Sequence, residues 1–156
     1  MTDTIKEIKK SLGKKILNTQ EHSEKRIYFD IDKKDIVEVA KFLFKEMGLR
    51  FSTATGVDTP RGLEILYHFA DDKEGRLINI RVLLEDKKKP EIDSIAKFMK
   101  AAEWIEREIW ELLGVNFLGH PDLRHLLLID DWPKDDFPLR HDHEHDHEHN
   151  KKEEHK

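Results

Sequence analysis

Apolar residues recur at Ile5, Ile8, Leu12 and Ile16, a spacing that predicts a first helix over 5–17 with Asp3 or Thr4 as its cap. A polar stretch, 18–25, leads to a short strand at Arg26-Ile27-Tyr28-Phe29. Asp32 stands at the N-cap of a second helix, whose stripe is Ile36, Ala40, Leu43 and Met47 and whose stop is Gly48. Three strands follow, at 49–57, 63–69 and 78–84. In the second, Leu63, Ile65, Tyr67 and Phe69 alternate with Glu64, Leu66 and His68. The turns between them, Asp58 to Gly62 and Asp71 to Gly75, are short, so these neighbours pair antiparallel. From Ile92 to Leu113 the spacing of Ile95, Met99, Ala102, Ile105, Ile109 and Leu112 predicts the longest helix, ended by Gly114. Periodicity then disappears. Residues 114–140 are rich in Pro, Gly, Asp and aromatics yet apolar enough to be ordered, and read as an extended arm laid over a surface. The expected class is α+β: an antiparallel sheet with helices packed on one face and an extended C-terminal arm.

Composition divides the chain. Of 156 residues, 37% are hydrophobic and 39% charged. Much of the charge excess lies in 141–156, which holds six of the ten histidines, six acids and three lysines. The expected organisation is therefore one domain over 1–140, including the arm, and a disordered histidine- and acid-rich tail over 141–156. The body carries 25 basic and 27 acidic residues, a near balance that argues against a nucleic-acid binder. The absence of cysteine excludes disulfides, thiolate zinc sites, cysteine-ligated iron–sulfur clusters and a cysteine nucleophile in this chain. No apolar run approaches the roughly 20 residues of a membrane span, and the start MTDTIKEIKK has no apolar signal core. Membrane association is expected only through a partner.

Two clusters and the tail carry candidate chemistry. In Glu103-Trp104-Ile105-Glu106-Arg107-Glu108-Ile109-Trp110-Glu111, the helical repeat puts Glu106 inside the apolar stripe. A carboxylate there needs a partner, and Arg124 or Arg140 of the arm are the candidates. A structural tie of helix to arm is favoured over a general acid or base, because no nucleophile or oxyanion donors stand beside it. In Gly119-His120-Pro121-Asp122-Leu123-Arg124-His125, a rigid turn with buried side-chain hydrogen bonds is favoured over a metal pair, which lacks a third ligand. His141, His143, His145, His147 and His149 alternate with acids and would bind Ni, Cu or Zn. That leaves open a metal-binding or nickel-delivery protein, alongside a solvated end. A self-sufficient hydrolase using Glu106 and His120 is a third option. Nucleotide-binding, phosphate-loop, serine-hydrolase and zinc-protease motifs are all missing.

The run from Glu106-Arg107-Glu108 through Leu112-Leu113-Gly114-Val115 to Gly119-His120-Pro121-Asp122-Leu123-Arg124 resembles the signature of the 30-kDa subunit of respiratory complex I (NADH-quinone oxidoreductase), a family with relatives in membrane-bound [NiFe]-hydrogenase-type complexes. Asp131-Trp132-Pro133 and Pro138-Leu139-Arg140 extend the likeness over about 35 residues. Glu111 stands where that family usually has Asp, and His125 replaces the second Arg of an Arg pair. The resemblance implies a non-catalytic scaffold without cofactors of its own. Iron–sulfur clusters, and nickel or quinone, would sit in partner subunits. The large 49-kDa-like or hydrogenase-like chain would be the main partner, beside other peripheral-arm subunits, on the cytoplasmic side of the cell membrane. Glu106, Arg107, Glu108, His120, Pro121, Asp122, Arg124, Trp132 and Arg140 would lock helix, arm and partner together.

Overall fold

The structure, a computed structural model, describes residues 3–142. Three helices are present, α1 (Asp3–Leu12), α2 (Ile36–Lys41, prolonged by a π turn to Glu46) and α3 (Glu103–Leu113). Strands β1 (Ile16–Ser23), β2 (Arg26–Ile31), β3 (Arg50–Thr59), β4 (Gly62–Asp71) and β5 (Arg76–Leu84) form one sheet in the order β1-β2-β5-β4-β3. Two short strands, β6 (Glu91–Asp93) and β7 (Asn116–Leu118), pair in parallel beside it. The expected α+β class holds.

Register explains the single buried face. Ile27 and Phe69 both align with Ile78, and Phe29 and Tyr67 with Ile80, so these apolar side chains stand in rows across the sheet. All are buried, with Ile8, Ile36, Val39, Leu43, Ile109 and Leu113 of the helices closing the same core. The opposite face carries polar side chains in the alternate positions. Arg81 grips Asp30 through two bonds of 2.7 and 2.9 Å. Asn79 is fully buried there because its amide donates to the Ile27 carbonyl while its oxygen meets His68 Nδ1 at 2.6 Å.

Three expectations need correction. The first helix stops at Leu12, and the polar stretch 18–25 belongs largely to β1. As an edge strand with no buried residue, β1 has no apolar alternation to reveal it. The sheet is antiparallel at three pairings but parallel where β2 meets β5, since α2 and the β3–β4 hairpin intervene between those strands. Finally, 92–113 is helical only from Glu103, after a short 3₁₀ turn at Lys100–Ala102. Ile92 pairs with Phe117, and the Ile95 amide goes to the Glu106 carboxylate. Ile92, Ile95 and Met99 still reach the core, but from an irregular chain.

Gly62 opens β4 at φ 153°, and a Cβ there would press on the Leu84 carbonyl and lie 2.9 Å from Glu85 Cα. Both neighbours are backbone and cannot swing aside. Gly62→Ala is expected to destabilise the domain by about 2 kcal/mol. Urea unfolding with an unchanged slope and a lower midpoint would bear this out, and an unchanged midpoint would refute it.

Candidate interaction site: an arm latched to a helix

Helix α3 ends at Gly114, whose φ of 76° is the left-handed cap that turns the chain away. The chain then runs back along the helix, and three side chains hold it there. Arg107 donates Nε to the Arg124 carbonyl (3.0 Å) and Nη2 to the His125 carbonyl (2.7 Å). One helical turn on, Glu111 accepts the amides of Leu126, Leu127 and Leu128 at 3.0, 2.7 and 3.3 Å. His125 Nδ1 lies 3.3 Å from the same carboxylate. Burial pushes the Glu111 carboxyl up, but these amides and His125 outweigh it and hold its pKa below the ordinary value. An irregular segment without its own ladder thus has its backbone groups satisfied by a cation and an anion on adjacent turns.

Arg140 closes the far end. Its Nε donates to the Leu113 carbonyl (2.7 Å) and Nη1 to that of Lys87 (2.8 Å), while the Leu139 amide donates to the Leu112 carbonyl. The Leu112 and Leu113 carbonyls are ones that the helix end leaves unpaired, and Lys87 lies in the loop after β5. Trp132 donates Nε1 to the Asp136 carbonyl at 2.8 Å, fixing the last bend of the arm.

Glu106 meets neither Arg124 nor Arg140, contrary to expectation. Its carboxylate is fully buried against the Ser94 hydroxyl and the Ile95 amide, the latter at 2.8 Å. Arg124 instead lies exposed on Asp122 at 2.9 Å. Periodicity could not find Ser94, because it assigned that segment to a helix. Burial pushes the Glu106 carboxyl up to about 7, while the Ser94 and backbone hydrogen bonds and Lys97 pull it down. Nearby Tyr67 is buried with no hydrogen-bond partner for its hydroxyl among the described residues, and its phenol is pushed well up by burial and by Glu106.

His120 is a buried strut. Its Nδ1 accepts the Asp122 amide (3.0 Å), so the neutral ring carries its proton on Nε2 and donates to the Glu103 carbonyl (2.9 Å). Pro121 lies between these two bonded positions. Glu106 Oε2 is 3.9 Å from Nε2, beyond hydrogen-bond reach, and both side chains are sealed from solvent. That geometry gives a hydrolase no substrate access. Glu108 borders a groove between α3 and β3 and makes no polar contact among the described residues.

Of the tail, His141 is described: its amide and Nε2 contact Asp58, at 2.9 and 3.2 Å. His143, His145, His147 and His149 lie outside the described residues, as does the expected disorder of the tail. Among the described residues no group of three His, Asp or Glu side chains is placed to hold a metal.

The model of the family described as "Respiratory-chain NADH dehydrogenase, 30 Kd subunit" matches residues 29–149, a span containing the whole latch. The chain belongs to this family. It is 36% identical over 116 residues to the fused C/D subunit of NADH-quinone oxidoreductase from Bacteroides fragilis, covering 66% of this chain and 22% of that one. It is 34% identical over 124 residues to the C subunit of NADH-quinone oxidoreductase from a Nocardioides species, covering 72% of this chain and 49% of that one. The chain thus spans about half the length of the Nocardioides relative and about a fifth of the fused Bacteroides one. In fold it is similar to a chain in the structure of the membrane-bound sulfane sulfur reductase, an archaeal respiratory membrane complex, with TM-score 0.81, 22% identity, and 96% and 88% of the two chains covered. The trypsin-resistant fragment (1–134) of Nqo5 matches with TM-score 0.62 and 20% identity over 77% of this chain and 96% of the fragment. Within this 30-kDa-type domain, sequence reasoning named Arg107 and Arg140 but missed the use of Glu111. Its one sign was an acid on a helix followed by an apolar arm that lacked an obvious partner for its backbone.

Proposed function

We propose that this chain is a scaffold subunit, without cofactors of its own, of a membrane-associated ion-translocating oxidoreductase, of the NADH-quinone type or a related hydrogenase type. It would seat on a 49-kDa-like large subunit through α3 and the arm. One observation carries the reading. Arg107 and Glu111 fix the backbone of residues 124–128, yet Leu127 and Ile129 each remain 63% exposed. Trp104 (70%) and Leu139 (57%) add to the exposed apolar area. Fixing an arm while leaving its apolar side chains in water suits presentation to a partner surface, with the ordering cost met before binding. Iron–sulfur clusters would belong to partner subunits, since the chain has no cysteine to ligate them, and nickel or quinone would sit there with them. Among the described residues no helix is long and apolar enough to cross a membrane. Attachment to the cytoplasmic face would therefore run through partners.

The test is affinity purification of the full chain from its own membranes, with mass spectrometry of what accompanies it. The expected result is a large 49-kDa-like or hydrogenase-like chain with iron–sulfur and membrane subunits. Leu127→Asp combined with Ile129→Asp should lower that recovery about tenfold while the domain stays folded. Recovery of the chain alone, or with metal-delivery factors only, would overturn the reading and favour metal chemistry in the tail.

A further inference from the structure

The sheet has two edges, and they are built differently. At β1 the register breaks twice within eight residues, between Ile16 and Asn18 and between Glu21 and Ser23. Such irregularities spoil an edge for pairing with another chain. At β3 the register is unbroken from Thr53 to Thr59, and the run Thr53-Ala54-Thr55-Gly56-Val57 carries no charge and no proline. We propose that the free edge of β3 receives an extended segment of the partner polypeptide as an added strand, a reading that rests on the interface proposed above.

Pairing geometry leaves this edge open. Thr59 and Gly62 are partners across the turn Pro60-Arg61. Antiparallel partners alternate between pairs that bond each other and pairs that bond outward. The amides of Thr53, Thr55, Val57 and Thr59 therefore serve β4, and those of Ala54, Gly56 and Asp58 point away from it. On that side His141 Nε2 meets the Asp58 carbonyl at 3.2 Å, but the Ala54 and Gly56 amides have no bond among the described residues. A groove of about 360 Å³ runs beside them between α3 and β3, lined by Ile105, Ile109, Leu112 and Leu139. Glu108, the only charged lining residue among those described, has no polar contact there. An added strand would point alternate side chains into this groove. The segment must then supply a large apolar residue, with a basic one beside Glu108. Unpaired edge amides select an extended polypeptide over a compact apolar knob. The chain's own tail does not qualify. Residues 143–156 contain no apolar side chain, and with Leu139 in the groove and His141 already at Asp58 the chain leaves past the end of β3. A second copy does not fit either. Leu113 and Ile109 lie over Gly56, where a Cβ would come within 2.5 and 3.1 Å of them. Antiparallel pairing of two β3 edges would set the two α3 helices about 5 Å apart, against the roughly 8–10 Å that packed helices need.

Hydrogen exchange read residue by residue reports the edge directly. In the full chain by itself, the Thr55 and Val57 amides should exchange slowly and those of Ala54 and Gly56 fast. In the complex purified from membranes, Ala54 and Gly56 should slow about a hundredfold. Ala54→Pro removes a donor that faces away from β4 and places its ring on the edge, where a strand tolerates proline. It should lower recovery of the large subunit about tenfold, while slow exchange in β4 and β5 shows that the domain is folded. Fast exchange at Ala54 and Gly56 in a complex that contains the large subunit would overturn the proposal and leave the interface reading standing. That measurement needs only the wild type, so it decides even if Ala54→Pro does not fold. Full recovery with a folded Ala54→Pro would also overturn the proposal. Protection of the two amides in the chain by itself, together with the mass of a dimer, would give the edge to a second copy and overturn it. If the wild-type chain brings no large subunit, the interface reading fails and the added strand falls with it.

Discussion

Glu111→Ala should release the arm while leaving the sheet intact. The substitution removes the acceptor for three backbone amides and leaves His125 without its carboxylate. The amides of Leu126, Leu127 and Leu128 have no other bond among the described residues. Each unsatisfied group costs on the order of 1–3 kcal/mol, and removing one member of a buried charged network about 3–5. A loss of about 4 kcal/mol in the local opening free energy of the arm is expected. Hydrogen exchange at residues 126–128 should then accelerate about a thousandfold, with little change in β4 and β5. Glu111→Asp, which keeps the carboxylate on a shorter side chain, should retain most of the protection. Unchanged exchange at 126–128 in Glu111→Ala would show that Glu111 does not hold the arm, leaving Arg107, Arg140 and packing to do so.

What the chain reveals before folding depends on who its partners are. The alternation from Leu63 to Phe69 is legible because each residue answers only to a buried or an open face. Asp32 is legible as a cap because its partner, the Lys34 amide, is two residues away. Residues 16–23 are not legible, since an edge strand exposed on both faces has no apolar period. Glu106 is half legible. Its place in the apolar stripe demands a partner, but the choice of Ser94 and Ile95 depends on a backbone course that the spacing of Ile92, Ile95 and Met99 conceals. Glu111 is least legible, because its partners are backbone amides, and every residue except proline has one.

The two buried acids of α3 therefore do different work. Glu111 is satisfied by amides from the arm and stays ionised, so it acts as an anion that organises irregular chain. Glu106 faces inward, joining the segment after β6 to the helix, with buried His120 bracing the turn beside it. The charged signature is thus largely internal carpentry, while the arm leaves the apolar side chains of Leu127, Ile129 and Leu139 exposed.

Glu106 should also give the domain an unusual pH dependence near neutrality. Its carboxyl, ordinarily at 4.5, is pushed up to about 7 in the folded chain, chiefly by burial. Between those values the folded state holds a proton that the unfolded state has lost, so stability falls as pH rises. The contribution is complete below about 4.5 and gone once pH passes through about 7, a total of about 3 kcal/mol at about 1.4 kcal/mol per pKa unit. Asp58 and Glu111, whose carboxyls are held low, act oppositely, losing stability only as pH drops through the acid range. Glu106→Gln isolates the effect. Its amide oxygen can still accept the Ile95 amide, and the neutral group mimics the protonated acid. Denaturant unfolding of the wild type should lose stability from pH 5 to pH 8, whereas Glu106→Gln should be nearly flat and the more stable of the two at pH 8. Parallel profiles would mean that Glu106 is ionised throughout, with Lys97 or the Ser94 and Ile95 hydrogen bonds offsetting the whole cost of its burial.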